Sequence, residues 1–102
     1  MSGIVTVVAE IRAAKGKGDA LAALLVEQAA AVRKAEAGCL AYRPHRSTSD
    51  PELFLFYETY VDDAAFDAHR ASPIVAAYRK RREEQGLVDG AVVVKLYRPL
   101  AE

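Results

Sequence analysis

Three runs of this chain, "IVTVVAEIR" at 4–12, "LFLFYETY" at 53–60 and "AVVVKLYRPL" at 91–100, carry apolar side chains on both parities of a β-strand. Successive strand residues point to opposite sides of a sheet, so a strand wetted on one face alternates apolar with polar. Here Val5, Val7 and Ile11 stand against Ile4 and Val8. Phe54 and Phe56 stand against Leu53, Leu55 and Tyr57, and Val92, Val94 and Leu96 against Val93 and Tyr97. A sheet of such strands needs cover on both faces. At 102 residues the chain is expected to be one domain, spanning 1–102, with a single core. Its own helices can cover one face, and the simplest cover for the other is a second copy, giving a two-fold homodimer.

The order of elements follows from local signals. After the first strand, "KGKG" at 15–18 marks a turn, and Asp19 is placed to cap a helix running to about Glu36, with Leu21, Leu24, Leu25, Ala29 and Val32 on its buried stripe. Gly38 is expected to end that helix as a C-terminal glycine. "CLAYRPHRS" reads as a second strand, and Pro44 suits an edge. After the third strand, Asp62 or Asp63 caps a helix to about Arg70. Ser72 and Pro73 restart it as N-cap and first helical residue, and it continues to about Gln85. The fourth strand follows a loop at 86–90. The result is β-α-β-β-α-β, a ferredoxin-like α+β domain with helices on one face of an antiparallel sheet.

Composition excludes several classes. Fourteen basic and fourteen acidic residues cancel, so no net field favours nucleic acid or an anionic membrane. The run Arg79-Lys80-Arg81-Arg82 is followed by Glu83-Glu84, and local i,i+3 and i,i+4 pairing would make it a solvated helix end. No apolar run reaches the roughly 18 residues of a membrane span. A lone Cys39 permits no intrachain disulfide and suits a reducing compartment, and the opening residues lack a signal-peptide pattern. A cytoplasmic protein is therefore expected. One Cys and two widely spaced His make no recognisable structural metal site, and no phosphate-binding glycine motif is present.

Two polar residues interrupt the apolar pattern where burial is expected. Period two puts Phe54, Phe56, Glu58 and Tyr60 on one face of the third strand. Helical spacing puts Ala65, Phe66 and His69 on one stripe of the following helix. If Glu58 lies on the helix-covered face, carboxylate and imidazole enter the same space, and each answers the other's need for a partner. Two roles are open: a structural tie between strand and helix, or a Glu-oriented imidazole acting as general base in a pocket. Tyr42, Tyr57, Tyr60, Tyr78 and Tyr97 are candidates for packing or ligand contact alike. His45 and Arg46 read as solvated strand-end residues, and Cys39 as a small buried hydrophobe.

The stretch 36–78, "EAGCLAYRPHRSTSDPELFLFYETYVDDAAFDAHRASPIVAAY", resembles the antibiotic biosynthesis monooxygenase (ABM) family. The resemblance rests on Gly38, Cys39 and Tyr42; Asp50 and Pro51; Tyr57, Glu58 and Tyr60; and Ala65, His69, Ser72 and Pro73. It implies a dimeric α+β barrel and, for the site, His69 and Glu58 as catalytic residues. Tyr60, Tyr42, Phe56, Phe66 and Tyr78 are then expected to line the substrate pocket. The family includes cofactor-free monooxygenases acting on quinols or aromatic polyketides, haem-degrading enzymes, and an isomerase of a phosphorylated autoinducer. Haem-degrading members resemble an Asn, Trp and His set, and this chain has neither Asn nor Trp. Many quinol-type members carry Trp at Tyr60 and a second His at Ile74. The leading expectation is a cofactor-independent oxidoreductase that needs no metal. The alternatives are an isomerase or tautomerase of a small carbonyl compound, which a pocket containing Arg43 or Arg46 would favour, and a non-catalytic small-ligand-binding dimer.

Overall fold

The computed structural model describes residues 3–101. The elements run β1 (Val5–Arg12), α1 (Gly18–Ala35), β2 (Cys39–Arg46), β3 (Leu53–Tyr60), α2 (Asp63–Arg70), α3 (Pro73–Glu84) and β4 (Val93–Tyr97). The strands form one antiparallel sheet in the order β2-β3-β1-β4, which is the expected ferredoxin-like arrangement with its second helical unit divided at Ser72-Pro73. Pro44 lies on the edge strand β2, where a missing N–H is tolerated.

Register decides which side chains meet. Directly opposed residues of an antiparallel pair share a face, so Tyr42, Glu58, Val7 and Leu96 form one row across the sheet, and Pro44, Phe56, Ala9 and Val94 the next. These rows lie under the helices. The larger apolar cluster joins Ile11, Phe54, Phe56 and Tyr42 to Leu21, Leu25 and Val32 of α1 and Tyr78 of α3. A smaller one holds Val5, Val7, Tyr60 and Phe66. Glu58 and His69 are both buried and share the helix-covered face with the two clusters.

Capping follows the sequence signals at two of the helices. The Asp62 carboxylate accepts from the Ala65 N–H at 2.8 Å, and the Ser72 hydroxyl accepts from the Ile74 N–H at 3.1 Å with Pro73 at the first helical position. Each such cap stabilises its helix by about 1 kcal/mol. Other signals resolve differently. Asp19 lies inside the first turn of α1, whose N-cap is Lys17, and its carboxylate accepts from Arg46 instead. The strand of β4 is shorter than the apolar run suggests. Among the described residues the Arg79–Arg82 run makes no ion pair with Glu83 or Glu84: Arg81 reaches Glu27 on α1 at 2.8 Å, and Arg82 donates to the Tyr78 hydroxyl one turn back at 3.3 Å.

Gly38 is not a left-handed cap either; positive φ occurs at Gly16, Gly86 and Gly90. Its small size serves close packing. A Cβ built on Gly38 would lie 2.7 Å from the Ala65 Cβ on α2 and 3.5 Å from Val61 Cγ1. Both neighbours are short and cannot swing away. Gly38→Ala is therefore expected to displace α2 and destabilise the fold by about 1–3 kcal/mol. Urea unfolding checks this, and an unchanged midpoint would show that α2 has slack at this contact.

Candidate active site

His69 projects from the last turn of α2 toward the sheet, between Tyr42 and Tyr60, whose ring centroids lie 5.4 Å and 5.2 Å from its own. Its Nδ1 is 2.8 Å and 3.0 Å from the two oxygens of Glu36. An ionised carboxylate only accepts, so in that state Nδ1 carries the hydrogen and donates it. Nε2 then turns inward, 3.9 Å from Glu58 Oε1, near but beyond hydrogen-bond length. The Glu58 oxygen accepts from the Tyr60 hydroxyl at 2.6 Å.

The expected meeting of Glu58 and His69 is therefore present, but with a different division of labour. Glu36, the C-cap of α1, orients the imidazole; Glu58 stands across from its free nitrogen. Sequence periodicity does not reveal Glu36, because it lies beyond the regular part of the helix. One physical signal was available: an acidic residue at a helix C-terminus opposes the macrodipole, so it calls for another reason to be there.

These groups open into a cavity of about 120 Å³ between the sheet and helices α2 and α3. Tyr42, Phe56, Phe66 and Tyr78, named above as candidate pocket residues, line it together with Glu58 and His69. Tyr60 does not line the cavity; it lies fully buried behind Glu58 as a hydrogen-bond donor. Arg43 and Arg46 are absent from the lining, and Arg46 is instead held by Asp19 and the Pro51 carbonyl. The basic side chains that do line it are Arg70, at the end of α2, and Arg79 and Arg82, which belong to the run expected to be a solvated helix end.

Electrostatics sort the lining by role. Burial raises the Glu58 carboxyl to about 7, against the opposing hydrogen bond from Tyr60 and with a further push from the Glu36 charge. Burial also raises the hydroxyls of Tyr42, Tyr60 and Tyr78, keeping them protonated as donors. Burial pushes the Cys39 thiol up to about 11, so it is not a thiolate nucleophile. Glu58 and the Nε2 of His69 are left as the proton acceptors of the cavity. The constellation can orient a hydroxylated ring and move its proton.

Comparison with known proteins agrees with this architecture. The protein PA3566 of Pseudomonas aeruginosa is 36% identical, with 99% of this chain and 98% of that chain covered and a TM-score of 0.85. Rv0793 of Mycobacterium tuberculosis is 32% identical over 98% of each chain, also with a TM-score of 0.85. A Caulobacter crescentus protein described as a "putative antibiotic biosynthesis monooxygenase" has the same fold at 23% identity, covering 98% of this chain and 92% of its own, with a TM-score of 0.89. Among curated proteins the comparison found no match. The model of the family described as "Antibiotic biosynthesis monooxygenase" matches residues 4–81, from β1 through the helix that closes the cavity. That match takes in all the polar residues at the buried end of the cavity, and the chain belongs to the antibiotic biosynthesis monooxygenase family.

Proposed function

We propose that this chain is a cofactor-independent monooxygenase that oxidises a quinol or related phenolic compound with dioxygen. The observation that carries this reading is the His69 imidazole, held by Glu36 through Nδ1 and directing Nε2 beside Glu58 into a cavity walled by Tyr42, Phe56, Phe66 and Tyr78. Nε2 takes the phenolic proton, and the electron-rich anion reduces dioxygen directly. For a hydroquinone the balance is one quinol and one dioxygen giving one hydroxylated quinone and one water. One oxygen atom forms the new carbon–oxygen bond, and the other leaves as water. A cavity of about 120 Å³ is smaller than the roughly 300–1,000 Å³ of drug-sized ligand sites, which favours a single-ring quinol over a polycyclic polyketide. Oxygen consumption across a panel of hydroquinones, with the product analysed by mass, tests this. Uptake of one dioxygen per quinol with a gain of one oxygen in the product is expected; no uptake with any member sinks the assignment.

One observation favours a second reading. Arg70, Arg79 and Arg82 on the cavity wall supply the cationic donors that an isomerase of a small polar carbonyl compound would need. Turnover without oxygen would select it. A non-catalytic binding role would return the ligand unchanged under both conditions.

We also propose that the working form is a homodimer. Strand β4 lies at a sheet edge with Val94 and Leu96 of its helix-side face about half exposed, at 53% and 55%, and Val93 and Tyr97 of its other face at 49% and 51%. A second copy is the occupant that the doubly apolar strands call for. Light scattering at micromolar concentration should give twice the mass of one chain, and a monomer would overturn it.

A further inference from the structure

The cavity has two chemically different ends. The buried end presents Glu58 and His69. The open end presents Arg70, Arg79 and Arg82, exposed or half-buried, and Glu58 is the sole carboxylate among the described lining residues. Val75, Tyr78, Arg79 and Arg82 share one face of α3, so the helix that closes the cavity also carries two of its cations.

Of the arginines without a carboxylate partner among the described residues, Arg33, Arg43, Arg79 and Arg82, the last two line this cavity. Arg12, Arg46, Arg81 and Arg98 are each paired to a carboxylate away from this cavity. Arg70 is paired to Asp67 and lies 4.7 Å over the Phe66 ring. Arg79 and Arg82 have no carboxylate partner among the described residues. Arg82 is nonetheless positioned, with its guanidinium carbon 5.1 Å from the Tyr78 ring centroid and a hydrogen bond to the Tyr78 hydroxyl. Arg79 and Arg82 thus bring two positive charges without a carboxylate partner to one opening, and an oxyanion between them would balance that charge. The planar fork of arginine fits a carboxylate or phosphate with two parallel hydrogen bonds.

Resting on the reading of this cavity as the substrate site, we infer that the substrate is a phenolic ring bearing an oxyanion, a carboxylate or a phosphate. Its hydroxyl faces His69 and Glu58, and its oxyanion faces Arg79 and Arg82. The arginines bind and orient the ring; they do not touch the proton that moves.

Binding without turnover tests this independently of oxygen chemistry. Calorimetry under anaerobic conditions would compare 3-hydroxybenzoate, 3-hydroxyphenyl phosphate and the uncharged methyl 3-hydroxybenzoate. At low salt, one or both anions should bind about 5- to 20-fold more tightly than the ester, and the advantage should shrink as salt rises. Which anion leads identifies the substituent. Arg79→Gln, at an exposed position that leaves the core intact, should remove most of the advantage, and Arg79→Lys should retain part of it. Arg82→Gln should act alike if its melting temperature is preserved. Equal binding of the ester, an anion preference that survives Arg79→Gln, or no binding of any probe at millimolar concentration would overturn the inference. Anion-selective binding with no oxygen uptake from any quinol would retain it and reject the oxidation reading. Oxygen uptake with no anion preference would do the reverse.

Discussion

His69→Ala is expected to lower the rate of quinol-dependent oxygen uptake by about 10²–10⁴-fold, the range over which a positioned general base acts. The geometry explains why the loss should fall on turnover rather than on binding. The cavity walls that hold a ring are Tyr42, Phe56, Phe66 and Tyr78, and all four remain. What disappears is the imidazole whose Nε2 stands beside Glu58 in the cavity. His69 is buried, so His69→Gln supplies a better-filled variant for comparison, and both should be checked for a preserved fold by circular dichroism. Glu36→Gln separates orientation from shape. A glutamine can donate as well as accept, so it no longer dictates which imidazole nitrogen carries the hydrogen. Its expected effect is a fall in kcat with KM nearly unchanged. A folded His69→Ala protein that consumes oxygen at the wild-type rate would end the role assigned to this residue.

Glu58→Gln should make the protein more stable at pH 8, by roughly 3 kcal/mol, while leaving stability near pH 4.5 almost unchanged. Burial raises this carboxyl from an ordinary 4.5 to about 7. Between those values the folded chain keeps a proton that the unfolded chain has released. Folding stability therefore falls as pH rises through that window, and the loss is complete above about 7. Glutamine, neutral throughout, does not share it, and its carbonyl still accepts from Tyr60. The groups facing Glu58 are Tyr60 on its own strand, Tyr42 on β2, Glu36 at the end of α1, His69 on α2 and Tyr78 on α3. An imidazolium at 3.9 Å would instead hold Glu58 ionised. Urea unfolding of both proteins from pH 4.5 to 8 decides between these cases. Parallel curves, or wild-type stability that rises with pH, would refute the raised carboxyl.

The two results bear on each other. A residue that weakens the fold near neutrality, where glutamine would fit, has a reason other than stability for being a carboxylate. If Glu58→Gln is both more stable and less active, the buried acid belongs to the chemistry. If it is more stable and equally active, Glu58 is a wall of the cavity and His69 acts without it.

Much of this was legible from one dimension because it rests on local rules. Strand parity placed Glu58 with Phe54 and Phe56, and helical spacing placed His69 with Phe66; both assignments follow from covalent geometry and hold in the folded chain. Asp62 and Ser72 marked helix starts by local rules too, since their side-chain oxygens accept from first-turn N–H groups, and Pro73 because its fixed φ and missing N–H suit the first helical position. Gly38 reads from the sequence as a helix-ending glycine, whereas the structure requires its small size. A helix-ending glycine and a glycine pressed against another helix look identical in sequence, and only the contact with Ala65 separates them.

What tertiary structure alone decided is which groups converge from distant parts of the chain. Glu36 and His69 are 33 residues apart and meet where the C-cap of α1 faces the last turn of α2. Arg79 and Arg82 sit in a run of charges that reads as solvated helix, yet the rotation of α3 over the sheet turns them to the cavity and sends Arg81 to Glu27. Periodicity reports the face of an element; it carries no information on which other element that face will meet. The sequence by itself determined an α+β sheet with a carboxylate and an imidazole on its covered side. The packing of three helices on that sheet decided which carboxylate holds the imidazole, and where the positive charge lies around the opening.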